Sequence, residues 1–277
     1  MLWEEVVARS SQELVGTETV LREEVQKAVL TYFSQRRLFN EGVFQGGTAL
    51  RLFYGNARHS EDLDFVFTRE DTELFHKIET QINNLGAFAH DVFPFAEEIT
   101  LKGQKKSRTF RRFTLRLSAP ELGRVLRVNI EFANVPSRDN SLFILHYPPF
   151  NPAVRVESLR EILADKVVAA GLRTYIKGRD LWDIHFLAAN KGVGIDLALV
   201  QQKLIDYGSN PATFTARLAA AVRHIHAEGN LVLEQEMKRF LPRNVAELYR
   251  EAYPGIAGKV ADLIEMCCLH HNEGLKR

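Results

Sequence analysis

The stretch from Phe44 to Phe67, FQGGTALRLFYGNARHSEDLDFVF, constrains the fold more than any other part of this 277-residue chain. An apolar β-like segment enters Gly46-Gly47-Thr48, a short run with helical spacing follows, and the chain then alternates through Asp62-Leu63-Asp64-Phe65. Side chains two apart on a strand share a face. Asp62 and Asp64 therefore point one way, while Leu63 and Phe65 point the other way into a core. Two carboxylates held side by side repel unless a cation lies between them. Hard oxygen ligands of that kind suit Mg²⁺, which also takes substrate phosphates. Paired glycines at a strand-to-helix turn let backbone N–H groups approach a phosphate chain at the positive end of a helix. An ordinary turn capped by threonine would use the same Gly-Gly-Thr, and an Asp-x-Asp pair alone is common at polar strand edges. Their joint occurrence points to a nucleoside triphosphate held by its phosphates and activated by metal.

Around this block the spacing predicts an α/β part followed by a helical part. Residues 1–40 carry apolar positions at helical intervals with a break near Gly16, which reads as two helices packed on the core. Residues 41–150 form the catalytic domain: strand, helix and strand over 41–67, a helix over 70–85 (including Asp71) closed by Gly86, then β-like runs near 88–95, 108–118 and 124–135. After Pro148, Pro149 and Pro152 the pattern turns helical, so 151–277 reads as a helical domain.

Three further constellations carry chemistry. In RVNIEFANV, alternation places Val128, Ile130 and Phe132 on one face and Asn129, Glu131 and Ala133 on the other. Glu131, on a strand able to pair beside Asp62 and Asp64, would supply a third carboxylate that shares a metal or activates the attacking hydroxyl. A lone polar residue on a half-exposed strand is the plainer alternative. Lys166 and Arg173 lie seven apart, on one helix face, and such a cation pair beside an acidic metal site would grip triphosphate oxygens. A salt-bridged helix surface is the ordinary explanation for such residues, but Lys166 is followed by Val167, Val168, Ala169 and Ala170. Residues 102–116, KGQKKSRTFRRFTLR, hold seven basic residues and no acid, interleaved with Phe110 and Phe113. Lys105, Lys106, Arg111 and Arg112 in that run suit RNA contact or, equally, a solubilising hairpin.

The block Gly-Gly-Thr-Ala-Leu … Arg-His-Ser-Glu-Asp-Leu-Asp-Phe resembles the polymerase-β type of nucleotidyltransferase, and within it the AbiEii/MenT toxins of bacterial toxin–antitoxin and phage-defence systems. The resemblance spans roughly 40–190 and implies an α+β fold, with a mixed small sheet flanked by helices ahead of an all-helical C-terminal domain. It implies transfer of an NMP from an NTP to an acceptor hydroxyl, a tRNA 3′ end, with two Mg²⁺ ions (or Mn²⁺) at Asp62, Asp64 and Glu131 and with a cognate antitoxin as partner. Carried over by position, Gly46, Gly47, Thr48, Ser60, Lys166 and Arg173 bind the nucleotide. Asp180 is a second essential acid supported by Arg179 and Asp183. The alternatives are a protein or antibiotic-like acceptor, and a non-catalytic module that binds nucleotide or a partner.

Composition narrows the setting. With 36 basic against 35 acidic side chains, no global field selects nucleic acid, so any basic surface must be local. The two cysteines, Cys267 and Cys268, are adjacent, a spacing that disfavours a disulfide and fits a reduced, cytoplasmic chain. The acidic start MLWEEVVARS does not read as a signal peptide, and no apolar run approaches the roughly 18 residues of a membrane helix. Cys267 and His271, one turn apart, lack the converging partners a zinc site needs, and His224 and His226 read the same way. Walker-type, nucleophile-elbow and zincin motifs are absent.

Overall fold

The computed structural model describes residues 1–70 and 73–274, with side chains followed to Cys267. Asp71 and the side chains of Cys268 and His271 lie outside the described residues. The chain divides into two compact units, one built from 1–55 and 59–157 and the other from 56–58 and 158 onward.

The first unit is a seven-stranded mixed sheet with helices. Its strands are β1 (Gly42–Gln45), β2 (Asp62–Phe67), β3 (Glu98–Lys106), β4 (Phe110–Ser118), β5 (Leu126–Pro136), β6 (Asn140–Ile144) and β7 (Ala153–Glu157), in the order β3-β4-β5-β2-β1-β7-β6. Strand β2 sits centrally, antiparallel to β1 and parallel to β5. Alternation sends Leu63, Phe65 and Phe67 of β2, with Val128, Ile130 and Phe132 of β5, into the core. There the rings of Phe65 and Phe132 stack 4.9 Å apart and Phe33 meets Phe65 edge-on at 5.5 Å. Phe33 belongs to α2 (Thr17–Gln35), which follows α1 (Trp3–Glu13) after a break capped by Gly16. The remaining helices of this unit are α3 (Gly46–Tyr54), α4 (Glu73–Gln81) and α5 (Leu85–Val92).

Two departures from the sequence reading have simple causes. Residues 88–95 are not a strand, because Leu85–Val92 is helical and Leu85, Ala89 and Phe93 bury at intervals of four. Gly86 therefore sits inside a helix. The missing strand is instead β3, whose run EITLKGQKK is largely exposed and too charged to show an apolar alternation. Strands β6 and β7 also lie in the sheet, so it continues past the proline-rich turn to Glu157.

The second unit is helical: α6 (Leu159–Leu172), α7 (Gly178–His185), α8 (Leu197–Asp206), α9 (Pro211–Phe240), α10 (Arg243–Tyr249) and α11 (Tyr253–Gly274). Ser158 caps α6 by accepting from the Glu161 N–H, and Asn210 caps α9 by accepting from Ala212 and Thr213, with Pro211 in the first turn. Helix α9 buries Phe214, Leu218, Val222, Ile225, Leu233 and Met237 along one stripe. Lys203 of α8 is fully buried, and its ammonium pairs with Glu161 at 2.5 Å and Asp165 at 3.1 Å on α6. Among the described residues, no helix is long and apolar enough to cross a membrane.

Packing of α6 on α9 leaves no room at Gly171, where a Cβ would fall 2.3 Å from the Phe214 ring. Gly171→Ala should therefore cost about 1–3 kcal/mol of stability by overpacking, read as a lower urea midpoint. Adding Phe214→Leu should recover part of that loss, and no recovery would place the strain elsewhere.

Candidate active site

The acids of the central strands form two rows across β2, β5 and β4. Asp62 pairs in register with Asn129, and Asn129 with Thr114; one step along, Asp64 pairs with Glu131, and Glu131 with Arg112. In the first row the Thr114 hydroxyl donates to Asn129 Oδ1 at 2.8 Å, and Asn129 Nδ2 donates to Asp62 Oδ1 at 3.0 Å. The amide thus holds Asp62 in one orientation without neutralising it. In the second row Arg112 pairs with Glu131 at 2.7 Å. The structure thus sets Asp62, Asp64 and Glu131 on one face of adjacent strands. Among the described residues they are not one of the sets whose ligand atoms all lie within 4.8 Å of one another. Glu131 faces a guanidinium in this state.

Helix α3 presents its first turn to this face. Gly46 has φ +79°, and a Cβ built on it would lie 2.7 Å from Asp64 Oδ2. Only glycine tolerates both that backbone and that approach. Gly46, Gly47 and Thr48 form the first turn, where N–H groups lack intrahelical acceptors and the helix dipole is positive. The Thr48 hydroxyl is committed elsewhere, donating to the Asp62 carbonyl at 2.5 Å, so what it offers this face is its backbone. That bond also ties α3 to the start of β2.

The segment ahead of Asp62 is fixed by a charge network that sequence reasoning missed. Gln26 donates to the carbonyl of Ser60 at 3.0 Å, and buried His59 lies 3.1 Å from Glu23. Burial works to raise the Glu23 carboxyl, but His59, Arg51, Lys27 and Arg9 outweigh it and hold that acid far below the usual carboxylate range. Acids and bases spaced along α1 and α2 look like a solvated surface, and nothing local to them signals this convergence.

The basic hairpin β3–β4 splits by strand face. Arg111 is buried, bonded to Glu79 at 2.8 Å and stacked on the Phe75 ring at 4.3 Å. Lys106 also reaches Glu79, at 2.8 Å. Lys105, Lys106 and Arg108 are exposed at or beside the hairpin's turn, and Lys102 is exposed further along β3.

In the helical unit, Lys166 and Arg173 both reach Asp180, Lys166 at 2.8 Å. Lys166 also meets Asp183 at 2.7 Å. Asp183 is fully buried and takes a bidentate fork from Arg58, Nε to Oδ1 at 2.6 Å and Nη2 to Oδ2 at 2.5 Å. Asn56 donates to the same carboxylate at 3.0 Å and accepts from the Trp182 indole at 2.9 Å. Burial pulls the Lys166 ammonium below its ordinary value, opposed by Asp183. Burial would raise Asp183, but Arg58 and Lys166 prevail and hold it at about 2. Arg179 pairs with Glu236 instead. Asn56 and Arg58 escaped the sequence reading because they sit in a loop, more than 120 residues from their partners.

Comparison with known proteins adds to this geometry. The model of the family described as nucleotidyl transferase AbiEii toxin, type IV toxin–antitoxin system, matches residues 28–258. No curated protein matches the sequence. Among solved structures, JHP933 from Helicobacter pylori is similar with a TM-score of 0.57 at 20% identity, covering 94% of this chain and 97% of its own. A candidate nucleotidyltransferase from the same organism gives 0.51 at 17% identity, covering 95% and 98%. At these identities the likeness is one of fold.

Arg58→Ala should cost about 3–5 kcal/mol, since it strands a buried carboxylate. Arg58→Lys should recover only part, because an ammonium cannot reproduce the fork. The Asp183 contribution is present above its unfolded value of 3.8 and is lost as pH falls through about 2. Thermal melts from pH 5 to pH 2 should therefore fall less steeply in Asp183→Asn than in the parent. Equal slopes would count against the pairing.

Proposed function

Because the chain belongs to the AbiEii nucleotidyltransferase family, whose members are toxins of type IV toxin–antitoxin systems, we propose that it moves an NMP from an NTP to the 3′ end of a tRNA and is restrained by a cognate antitoxin. The observation that carries this reading is the approach of the α3 first turn to Asp64, on the strand face that also bears Asp62 and Glu131. Nucleotidyltransferases generally use a divalent metal, and the residues fit one: the donors are hard oxygens, and Gly46 keeps the space beside Asp64 clear. Mg²⁺, as two ions, is the proposed occupant of Asp62 and Asp64, with Mn²⁺ able to substitute. When bound, it would neutralise triphosphate oxygens and favour the deprotonated acceptor hydroxyl.

The chain's own residues then divide the work. Backbone N–H groups of Gly46, Gly47 and Thr48 hold the β- and γ-phosphates, with Ser60 alongside. Thr114 and Asn129 fix the rotamer of Asp62, which leaves its second oxygen directed by the first. Glu131 takes the proton of the acceptor hydroxyl or shares the metal, and Arg112 is the counter-charge it must leave to do so. Lys166 and Arg173 are assigned to the triphosphate and Asp180 to the second acid role, as the family resemblance implies. The acceptor oxygen attacks the α-phosphorus in line, and pyrophosphate leaves. Lys105 and Lys106, both exposed, are the proposed tRNA contacts, rather than buried Arg111 and half-buried Arg112.

Asp64→Ala should reduce transfer of labelled NMP to total tRNA by at least about 10²–10³-fold, with the melting temperature nearly unchanged. Near-parental incorporation would sink the metal role. Gly46→Ala should also lose transfer, here with a lower melting temperature, because the added methyl meets Asp64 and the backbone is left-handed. Lys105→Glu with Lys106→Glu should raise the KM for tRNA and flatten its salt dependence while KM for NTP holds. Unchanged transfer in that double variant would move the acceptor from tRNA towards a protein or small molecule.

A further inference from the structure

The helical unit holds a cavity of about 230 Å³ whose apolar interior none of the roles above uses, although Arg173 and Asp180 belong to its lining. It opens among α6, the segment joining α6 to α7, α7 and α9. Its cause is a change in side-chain size along α9. At Phe214 the ring presses onto Gly171, so α9 lies close to α6. Two turns further on, α9 offers only Ala220 and Ala221, opposite Ala170 of α6, and the space between the helices stays open. Ile184 and Ile225 close the walls.

The rim has a different character. Arg217 stands one turn before Ala220 and Ala221, is exposed, and has no hydrogen-bond or ion-pair partner among the described residues. Lys177 lies over the exposed ring of Tyr175 at 5.7 Å. Asp180, the one acid among the lining residues described, is already met by Lys166 and Arg173. The result is an apolar slot with a cationic, aromatic mouth. Its volume is below the roughly 300 Å³ at which drug-sized sites begin, so it suits one flat ring system rather than a whole nucleotide. A ligand with an apolar ring inside and an anionic group outside matches both parts.

We infer that this cavity seats the base of a nucleotide, with Arg217 receiving its phosphate at the rim. The choice of a nucleotide over other aromatic anions rests on the transfer reaction proposed above. Two sources share that chemistry, the free NTP and the terminal nucleotide of the acceptor RNA.

The test is equilibrium binding to the full-length protein, which does not depend on turnover. Non-hydrolysable analogues of the four NTPs and a short RNA with a tRNA-like 3′ end serve as probes. Ala220→Leu fills the slot, and Arg217→Glu, at an exposed position, reverses the rim without touching the packing. Both variants should weaken a probe by at least about tenfold, with Ala220→Leu also flattening preference among bases. Loss confined to the NTP analogues assigns the slot to the donor, and loss confined to the RNA assigns it to the acceptor. Parental binding of every probe by Arg217→Glu and by a folded Ala220→Leu overturns the inference. Asp64→Ala separates the two levels of argument, since it should lose transfer yet keep base preference in binding. Should the parent bind nucleotides in an Ala220-dependent way but transfer nothing, the reaction fails and the slot stands.

Discussion

The close approach of Gly46 to the Asp64 carboxylate sets the terms for the whole sheet-side site. A methyl group there would sit within 2.7 Å of a carboxylate oxygen, so the helix can meet the acid only where the chain has no side chain. That proximity puts the first-turn N–H groups, which lack intrahelical acceptors, and the positive end of α3 beside negative charge, which moderates the repulsion between neighbouring acids. It also requires β1 and β2 to be neighbours in register, Gln45 opposite Asp64, because Gly46 follows directly from β1. The Thr48 hydroxyl closes the arrangement through the backbone of Asp62. The turn, the register and the acids thus form one geometric unit.

The helical unit solves a different problem, that of keeping charges in a dry interior. An isolated ammonium or carboxylate would cost several kcal/mol to bury, and even a matched pair gains little over apolar packing. What such a network supplies is definition. Asp183 accepts from Arg58, Asn56 and Lys166 together, so each donor has one place to be. Lys203 with Glu161 and Asp165 repeats the pattern between α8 and α6.

Legibility in the sequence depends on the range of the signal. The Asp62-Leu63-Asp64-Phe65 alternation and the strand holding Glu131 are local patterns, and the structure pairs those two strands, which the alternation allows but does not dictate. The Gly-Gly turn and both amino-terminal helices were readable for the same reason. Strand β3 gives no sequence signal because an exposed, lysine-rich edge has no apolar face to betray it, and α5 reads as a strand because a short apolar run shows no clear period. The Glu23 network, the fork from Arg58 and the amide of Asn129 depend on residues far apart in sequence, where no spacing argument reaches. The cavity beside Ala220 is likewise a property of two helices meeting, and neither helix shows it alone.

Residues 56–58 interrupt the first unit to join the second, and this makes the gene impossible to dissect at one point. A fragment ending after Glu157 would carry Asn56 and Arg58 without the aspartate that receives them, 125 residues beyond Arg58. A fragment starting at Ser158 would bury Asp183 with Lys166 but without its guanidinium fork. During synthesis the ribosome must extend past Asp183 before the loop after α3 can settle. Premature termination upstream of that codon therefore leaves neither half whole.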